Sequence, residues 1–158
     1  MIQPIRGDIP RNFSDLSQLL LINLSYNRFS SEIPAESWPA PAASVPLACV
    51  QRLAAIAALP KLQVISLSHN NLSGSLPASL FCNVSIYSPS LRIVQLGFNA
   101  FTNIVKQESS KCFSSLQILD LQHNQIHGEF PLILTNNSAL TSLDVSWNLF
   151  SGKIPSVI

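Results

Sequence analysis

Charge is what this sequence has least of. Lys, Arg, Asp and Glu make up 11% of its 158 residues, less than half of the roughly 25% usual in soluble domains. Nine Lys and Arg nearly cancel eight Asp and Glu, leaving a net charge of +1. That excludes the strongly basic field expected of a nucleic-acid or anionic-membrane binder. Long apolar runs are missing too. The greasiest stretch, 45–59, is broken by Gln51 and Arg52 and is shorter than the ~20 residues a membrane-spanning helix needs. The first eight residues, Met1 to Asp8, contain no apolar secretion-signal core. There are three Cys, an odd number, so at least one is unpaired within the chain. A nucleophile elbow, a zinc-protease helix, a phosphate loop, a dinucleotide glycine motif and the protein-kinase signatures are all absent. No catalytic residue, metal or cofactor is therefore expected. Disorder is excluded as well, because hydrophobic residues reach 47% and mean hydropathy is +0.30.

What is there is a repeat. Segments beginning at Leu19, Leu62, Leu91, Leu116 and Leu140 align without gaps for some fifteen positions. Three residues on come Ile22, Ile65, Val94, Leu119 and Leu143, and five on come Leu24, Leu67, Leu96, Leu121 and Val145. Position +8 is Asn in every copy: Asn27, Asn70, Asn99, Asn124 and Asn148. Position +10 reads Phe29, Leu72, Phe101, Ile126 and Phe150. Position +14 reads Ile33, Leu76, Val105, Phe130 and Ile154, followed by Pro34, Pro77, Lys106, Pro131 and Pro155. A partial copy precedes these as Ile5, Gly7, Ile9 and Pro10.

The pattern resembles the plant-type leucine-rich repeat, L-x-x-L-x-L-x-x-N-x-L-x-G-x-I-P. Its Gly is kept as Gly74, Gly128 and Gly152, whereas Ser31 and Asn103 replace it in two copies, where a second short strand is less secure. The resemblance implies an α/β-class, right-handed leucine-rich repeat solenoid. A curved parallel sheet would line its concave face, with irregular or 3₁₀ structure on the convex face. The alternation of apolar and polar residues at the start of each copy reads as a short strand with one face inward. Stacked coils then share a core that no single repeat could bury. The Asn column falls where the chain turns inward, and its amide can donate to and accept from backbone groups of two coils. Those five Asn read as structural.

The copies start 43, 29, 25 and 24 residues apart. The 29 implies an extra loop within 81–90. The 43 sets 1–34 apart from the repeats of 53–158 by a Pro- and Ala-rich segment, 35–52, that carries no register. That segment is either a surface insertion or a junction between unrelated pieces of sequence. Leu53, Ile56, Leu59 and Leu62 read as the tail of a repeat whose own strand is absent. The stacking of the Leu19 copy on the Leu62 copy is thus the weakest expected contact. No polar cap flanks the array, so an uncapped fragment of a longer solenoid is expected. Cys82 and Cys112 fall at near-equivalent places on adjacent coils, within disulfide reach in an oxidising compartment; alternatively they are two buried thiols. Cys49 has no evident mate. Five Asn-x-Ser sequons occur. Asn12, Asn83 and Asn136, in connecting segments, are better glycan acceptors than Asn23 on the concave face or Asn71 in the turn.

The outward columns of the sheet carry the functional signal. Position +7 reads Tyr26, His69, Phe98, His123 and Trp147; position +4 reads Asn23, Ser66, Gln95, Asp120 and Asp144; position +6 is small or amidic. Rings in line beside amides and carboxylates suit capture of an extended peptide or a protein edge, with Tyr26, His69, Gln95, Phe98, Asp120, His123, Asp144 and Trp147 as the contact set. Equally, such rings cover a sheet by stacking on one another. His69 and His123 stand two coils apart, too far to share a metal. Asp120 and Asp144 lie about 5 Å apart but lack the cleft and third partner that acid–base chemistry needs. By resemblance the chain is a recognition segment of a plant receptor-like kinase or receptor-like protein. Its partners would be a peptide or protein ligand and a leucine-rich repeat co-receptor, at the extracellular face of the plasma membrane. A secreted inhibitor of cell-wall-degrading enzymes and a cytosolic scaffold are the alternatives.

Overall fold

The computed structural model describes residues 3–9, 15–30, 56, 59–76, 80, 91–104, 115–131, 134 and 137–154. Asn12, Asn83, Asn136, all three Cys and the 35–52 segment lie outside the described residues. The eleven elements with described bounds are all strands. Five of them are β2 (Leu21–Asn23), β4 (Val64–Ser66), β6 (Ile93–Gln95), β8 (Ile118–Asp120) and β10 (Ser142–Asp144). They form one parallel sheet in the spatial order β10-β8-β6-β4-β2. Ile22, Ile65, Val94, Leu119 and Leu143 face one another across it in direct register. Each strand is only three residues long, but the ladder runs on beyond it. The Leu67 amide donates to the Gln95 carbonyl (2.8 Å) and the His69 amide to the Gly97 carbonyl (3.0 Å), and the next coil repeats both bonds.

Strand β2 pairs directly with β4, so the 43-residue interval advances the sheet by a single step. The Gln63 amide donates to the Leu20 carbonyl at 2.8 Å, as Arg92 does to Gln63 and Gln117 to Arg92. Ile56 and Leu59 are buried in the common core. Inward side chains make that core continuous. Ile65, Leu67, Val94, Leu96, Phe101, Leu119 and Leu121 are completely inaccessible to solvent, and each contributes about 1.5–3 kcal/mol by leaving water. The returning segments carry single 3₁₀-type turns, such as Leu134 amide to Pro131 carbonyl (3.0 Å) and Leu59 amide to Ile56 carbonyl (3.1 Å).

A second set of strands forms three separate parallel pairs: β1 (Arg6–Gly7) with β3 (Arg28–Phe29), β5 (Ser73–Leu76) with β7 (Ala100–Ile104), and β9 (His127–Glu129) with β11 (Leu149–Ser151). Gly7, Gly74, Gly128 and Gly152 each have φ between 84° and 101°, a conformation closed to residues with a Cβ. Asn103, at the same repeat position, departs from the sequence expectation. Its strand is not weakened; β7 is the longest of the set, five residues. The chain replaces the glycine kink with a β-bulge: the pairing register slips by one between Gly74 and Ser75, so that Gly74 faces Phe101 but Ser75 faces Asn103. In consequence Ile104, one residue before the expected +14 position, takes the buried place opposite Leu76.

Candidate functional site

Two columns of side chains define the concave face, and one Asn per coil sets both in place. Each Asn Nδ2 donates to carbonyls of its own coil and, from Asn70 on, to one of the coil before. Its Oδ1 accepts an amide of that preceding coil. Asn124 shows the full set: Nδ2 donates to Leu121 (3.0 Å), Gln122 (3.2 Å) and Leu96 (3.1 Å), and Oδ1 accepts from the Phe101 amide at 3.0 Å. Asn70 spans the 43-residue interval in the same way, reaching Leu24 and accepting from Phe29. Asn27 accepts from Ile5 of the partial copy.

The residue before each of these Asn is left-handed. Tyr26, His69, Phe98, His123 and Trp147 have φ of 58°, 56°, 56°, 50° and 53°. This conformation costs a residue with a Cβ about 1–2 kcal/mol, and among the described residues other than glycine it recurs at one register only. It brings the five rings into a single face-to-face stack. Tyr26–His69 and His69–Phe98 centroids are 4.2 Å apart, Phe98–His123 4.3 Å and His123–Trp147 5.1 Å, with interplanar angles of 8–18°. Each contact of this kind adds about 0.5–1.5 kcal/mol. The ring faces are therefore covered by one another and the edges face outward. Only Tyr26 and Trp147, each 74% exposed against 37% for Phe98, have a single ring neighbour.

The +4 column does local structural work. Asn23, Asp120 and Asp144 each accept, through Oδ1, the amide two residues on: Ser25 at 3.1 Å, Gln122 at 3.0 Å and Ser146 at 2.9 Å. These are Asx-turns that lead each strand into its left-handed residue. The Ser146 hydroxyl, then the Ser146 amide, hold the Asp144 carboxyl below the usual carboxylate range; His123 adds attraction and partial desolvation opposes it. Asp120 and Asp144 are register partners on β8 and β10, each engaged by its own turn. Asp120 and Gln122 lean over Gly97, where a Cβ would approach the Asp120 Oδ1 and the Gln122 Cγ to 3.0 Å.

A trough of about 390 Å³ follows these columns, lined by Asn23, Ser25, Tyr26, Ser66, Ser68, His69, Gln95, Phe98, Asp120 and Gln122. Of the eight residues the sequence marks for ligand contact, Tyr26, His69, Gln95, Phe98 and Asp120 line it. His123, Asp144 and Trp147 continue the same columns toward β10 without lining it. His127 stands apart on β9, its Nδ1 3.4 Å from the Gln125 carbonyl. Among the described residues no cluster of three or more His, Cys, Asp or Glu could hold a metal ion, and no helix is long and apolar enough to cross a membrane. One column escaped the sequence reading. Leu21, Val64, Ile93 and Ile118, at +2, line up in register across β2, β4, β6 and β8, and none is fully buried. They stand on the same sheet face as the +4 column, two residues nearer the strand start, and do not line the trough. Reading the repeats down position +2 reveals them.

A parallel sheet turned once per repeat, with an Asn joining each coil to the last, defines a leucine-rich repeat solenoid. Residues 61–83, 115–137 and 139–158 match the Leucine Rich Repeat family model. Receptor-like protein 39 of Arabidopsis thaliana is 28% identical over 152 residues, which is 96% of this chain and 14% of that protein. Among solved structures, the ectodomain of the Arabidopsis receptor kinase GASSHO1/SCHENGEN3, in complex with CASPARIAN STRIP INTEGRITY FACTOR 2, superposes with a TM-score of 0.71. Its identity is 30%, over 98% of this chain and 16% of that one. The Arabidopsis receptor kinase HAESA, in complex with the peptide hormone IDA and the co-receptor SERK1, gives a TM-score of 0.69 at 29% identity, over 96% of this chain and 21% of that one. The chain is an array of leucine-rich repeats, similar to those of plant receptor ectodomains. It spans between 11% and 19% of the length of the curated relatives it matches.

Proposed function

We infer that this segment recognises an extended peptide or a protein edge on its concave face, as part of a plant cell-surface receptor, and has no catalytic step of its own. The observation that carries this reading is the polar trough lined by stacked rings, with an aliphatic column at +2 on the same sheet face. Ring edges carry the positive rim of the aromatic quadrupole, which favours carbonyl and carboxylate oxygens. Amides, hydroxyls and the Asp120 carboxylate on the floor are suited to a peptide backbone. The aliphatic column beside it offers area for apolar side chains. The likeness to the HAESA receptor kinase in complex with a peptide hormone and a co-receptor supports a peptide ligand, a leucine-rich repeat co-receptor as second partner, and an extracellular location.

Five strands at ~4.8 Å spacing give a face about 19 Å across, the reach of about six extended residues. A displayed library of short peptides selected on the chain tests the reading. Selected peptides should compete with one another for one site. Trp147→Ala and Gln95→Ala should each weaken them about tenfold or more, while Gln125→Ala, off this face, should leave them unchanged. Peptides that bind the Trp147 and Gln95 variants as well as the parent chain would move the site elsewhere. Truncating Phe98 is a poorer test, because its ring is stacked on both sides and its loss would disturb the fold.

A further inference from the structure

We propose that the concave face takes its peptide as a polyproline II helix, and that His69 and His123 are the residues that select this conformation. The proposal rests on the recognition reading above and narrows it to one ligand chemistry, a proline-rich segment. Its basis is an alternation along the ring stack. From β2 to β10 the rungs read Tyr26, His69, Phe98, His123 and Trp147. Imidazoles and larger rings take turns, so like rungs recur on every second coil. The rungs step by 4.2 and 4.3 Å at the ring centroids on either side of Phe98. At the backbone the step is ~4.8 Å, so the two imidazoles stand about 9 Å apart.

That spacing discriminates between peptide conformations. A chain laid along the stack in polyproline II form repeats its faces every three residues, about 9.3 Å. Carbonyls i and i+3 then point the same way and meet His69 and His123 together. An extended β-strand repeats every two residues, about 6.6 Å. The carbonyl that reaches His69 then has no equivalent opposite His123. Two polyproline II turns, about six residues and 19 Å long, span the five coils.

The hydrogen-bond chemistry agrees with the spacing. A neutral imidazole carries one N–H whichever tautomer it adopts, and no hydrogen bond engages either ring among the described residues. Nε2 lies at the end of each ring farthest from the backbone, on the edge that stacking leaves uncovered. Polyproline II has no internal hydrogen bonds, so its carbonyls are open to such donors. Proline brings no N–H that would need an acceptor in return. The trough suits that balance. The Gln95 carboxamide is unengaged among the described residues, whereas the Asp120 carboxylate, an acceptor, is already occupied by the Gln122 amide and carboxamide at 3.0 and 3.3 Å. A preformed helix also loses little entropy on docking.

The test is fluorescence anisotropy on the full chain with two labelled, end-capped nonapeptides, an oligoproline and an alternating Thr-Val sequence that favours a strand. The oligoproline should bind about tenfold more tightly or better, and library-selected peptides should displace it. His69→Phe combined with His123→Phe keeps five stacked rings and removes both N–H donors. Oligoproline affinity should then fall about tenfold or more while the melting temperature holds. Equal or tighter binding of the Thr-Val peptide would overturn the proposal, and that comparison needs no variant. Unchanged oligoproline affinity in the folded double variant would overturn it as well. Library-selected peptides that depend on Trp147 and Gln95, with no oligoproline binding, would sink the polyproline II ligand and leave the concave-face reading standing. If no peptide binds at that face, both fall.

Discussion

The coil that begins at Leu116 and the one that begins at Leu140 are built from the same pattern and differ in what covers them. Their hydrogen bonds are nearly superimposable. Asn124 and Asn148 each donate to three carbonyls and accept one amide of the preceding coil at 3.0 Å. Yet Leu119 and Leu121 are inaccessible, while Leu143 and Val145, their counterparts, are only partly buried. Ile126 is buried and Phe150 is not. The polar geometry of a coil is thus fixed by its own sequence and the coil before it. Its hydrophobic burial requires a neighbour on each side, as a nearest-neighbour account of solenoid stability demands.

The largest expected difference between the two coils is in the core. Leu119→Ala should cost about 2–5 kcal/mol, measured by urea unfolding, and Leu143→Ala less than half of that, because part of its surface is already wet. Equal losses would break the comparison and point to burial of β10 that the structure does not show. The Asn column should differ less. Asn124→Ala removes one acceptor and three donor contacts at a buried place and should cost about 1–3 kcal/mol. Asn148→Ala should cost less than Asn124→Ala, since solvent can reach the groups it leaves, although its bonds are the same. A larger loss at Asn148 would mean that bond count outweighs burial. The smallest effect concerns pH. The Asp144 carboxyl titrates below its usual value of 3.8 in the folded chain, so its contribution is complete above about pH 5 and is lost as pH falls through the lowered value. The stability difference between the parent chain and Asp144→Asn should therefore shrink on acidification below about pH 4. A difference that stays constant to pH 2 would show that the Ser146 contacts do not discriminate between the two protonation states.

Much of this architecture is legible in the sequence because it rests on position alone. Inward Leu and Ile at +3 and +5 and the Asn at +8 do the same job in every coil, so alignment recovers them. The stretches that escaped prediction depend on context. Asn103 without glycine reads as a weakened strand, but the chain keeps its pairing by inserting a residue, and nothing local to Asn103 distinguishes the two outcomes. The left-handed Tyr26, His69, Phe98, His123 and Trp147 are bulky residues in a conformation they avoid alone; the Asn that follows and the rings above and below sustain it. The aliphatic column at +2 was hidden for a different reason. Leu21 or Ile93, taken singly, is an ordinary apolar residue at a strand start, and only the column makes a surface. On the concave face the sequence identified the rings and carboxylates and offered ring stacking as one of two readings; the structure selects it, which decides what the rings present to a partner.

The direction in which the asparagines reach has one more consequence. Every carboxamide closes an amide belonging to the turn made before it, never the turn made after. A coil without its successor therefore has one backbone amide that lacks its carboxamide acceptor. Each coil is thus completed by the one that follows it in sequence, so the array gains its polar closure one neighbour at a time.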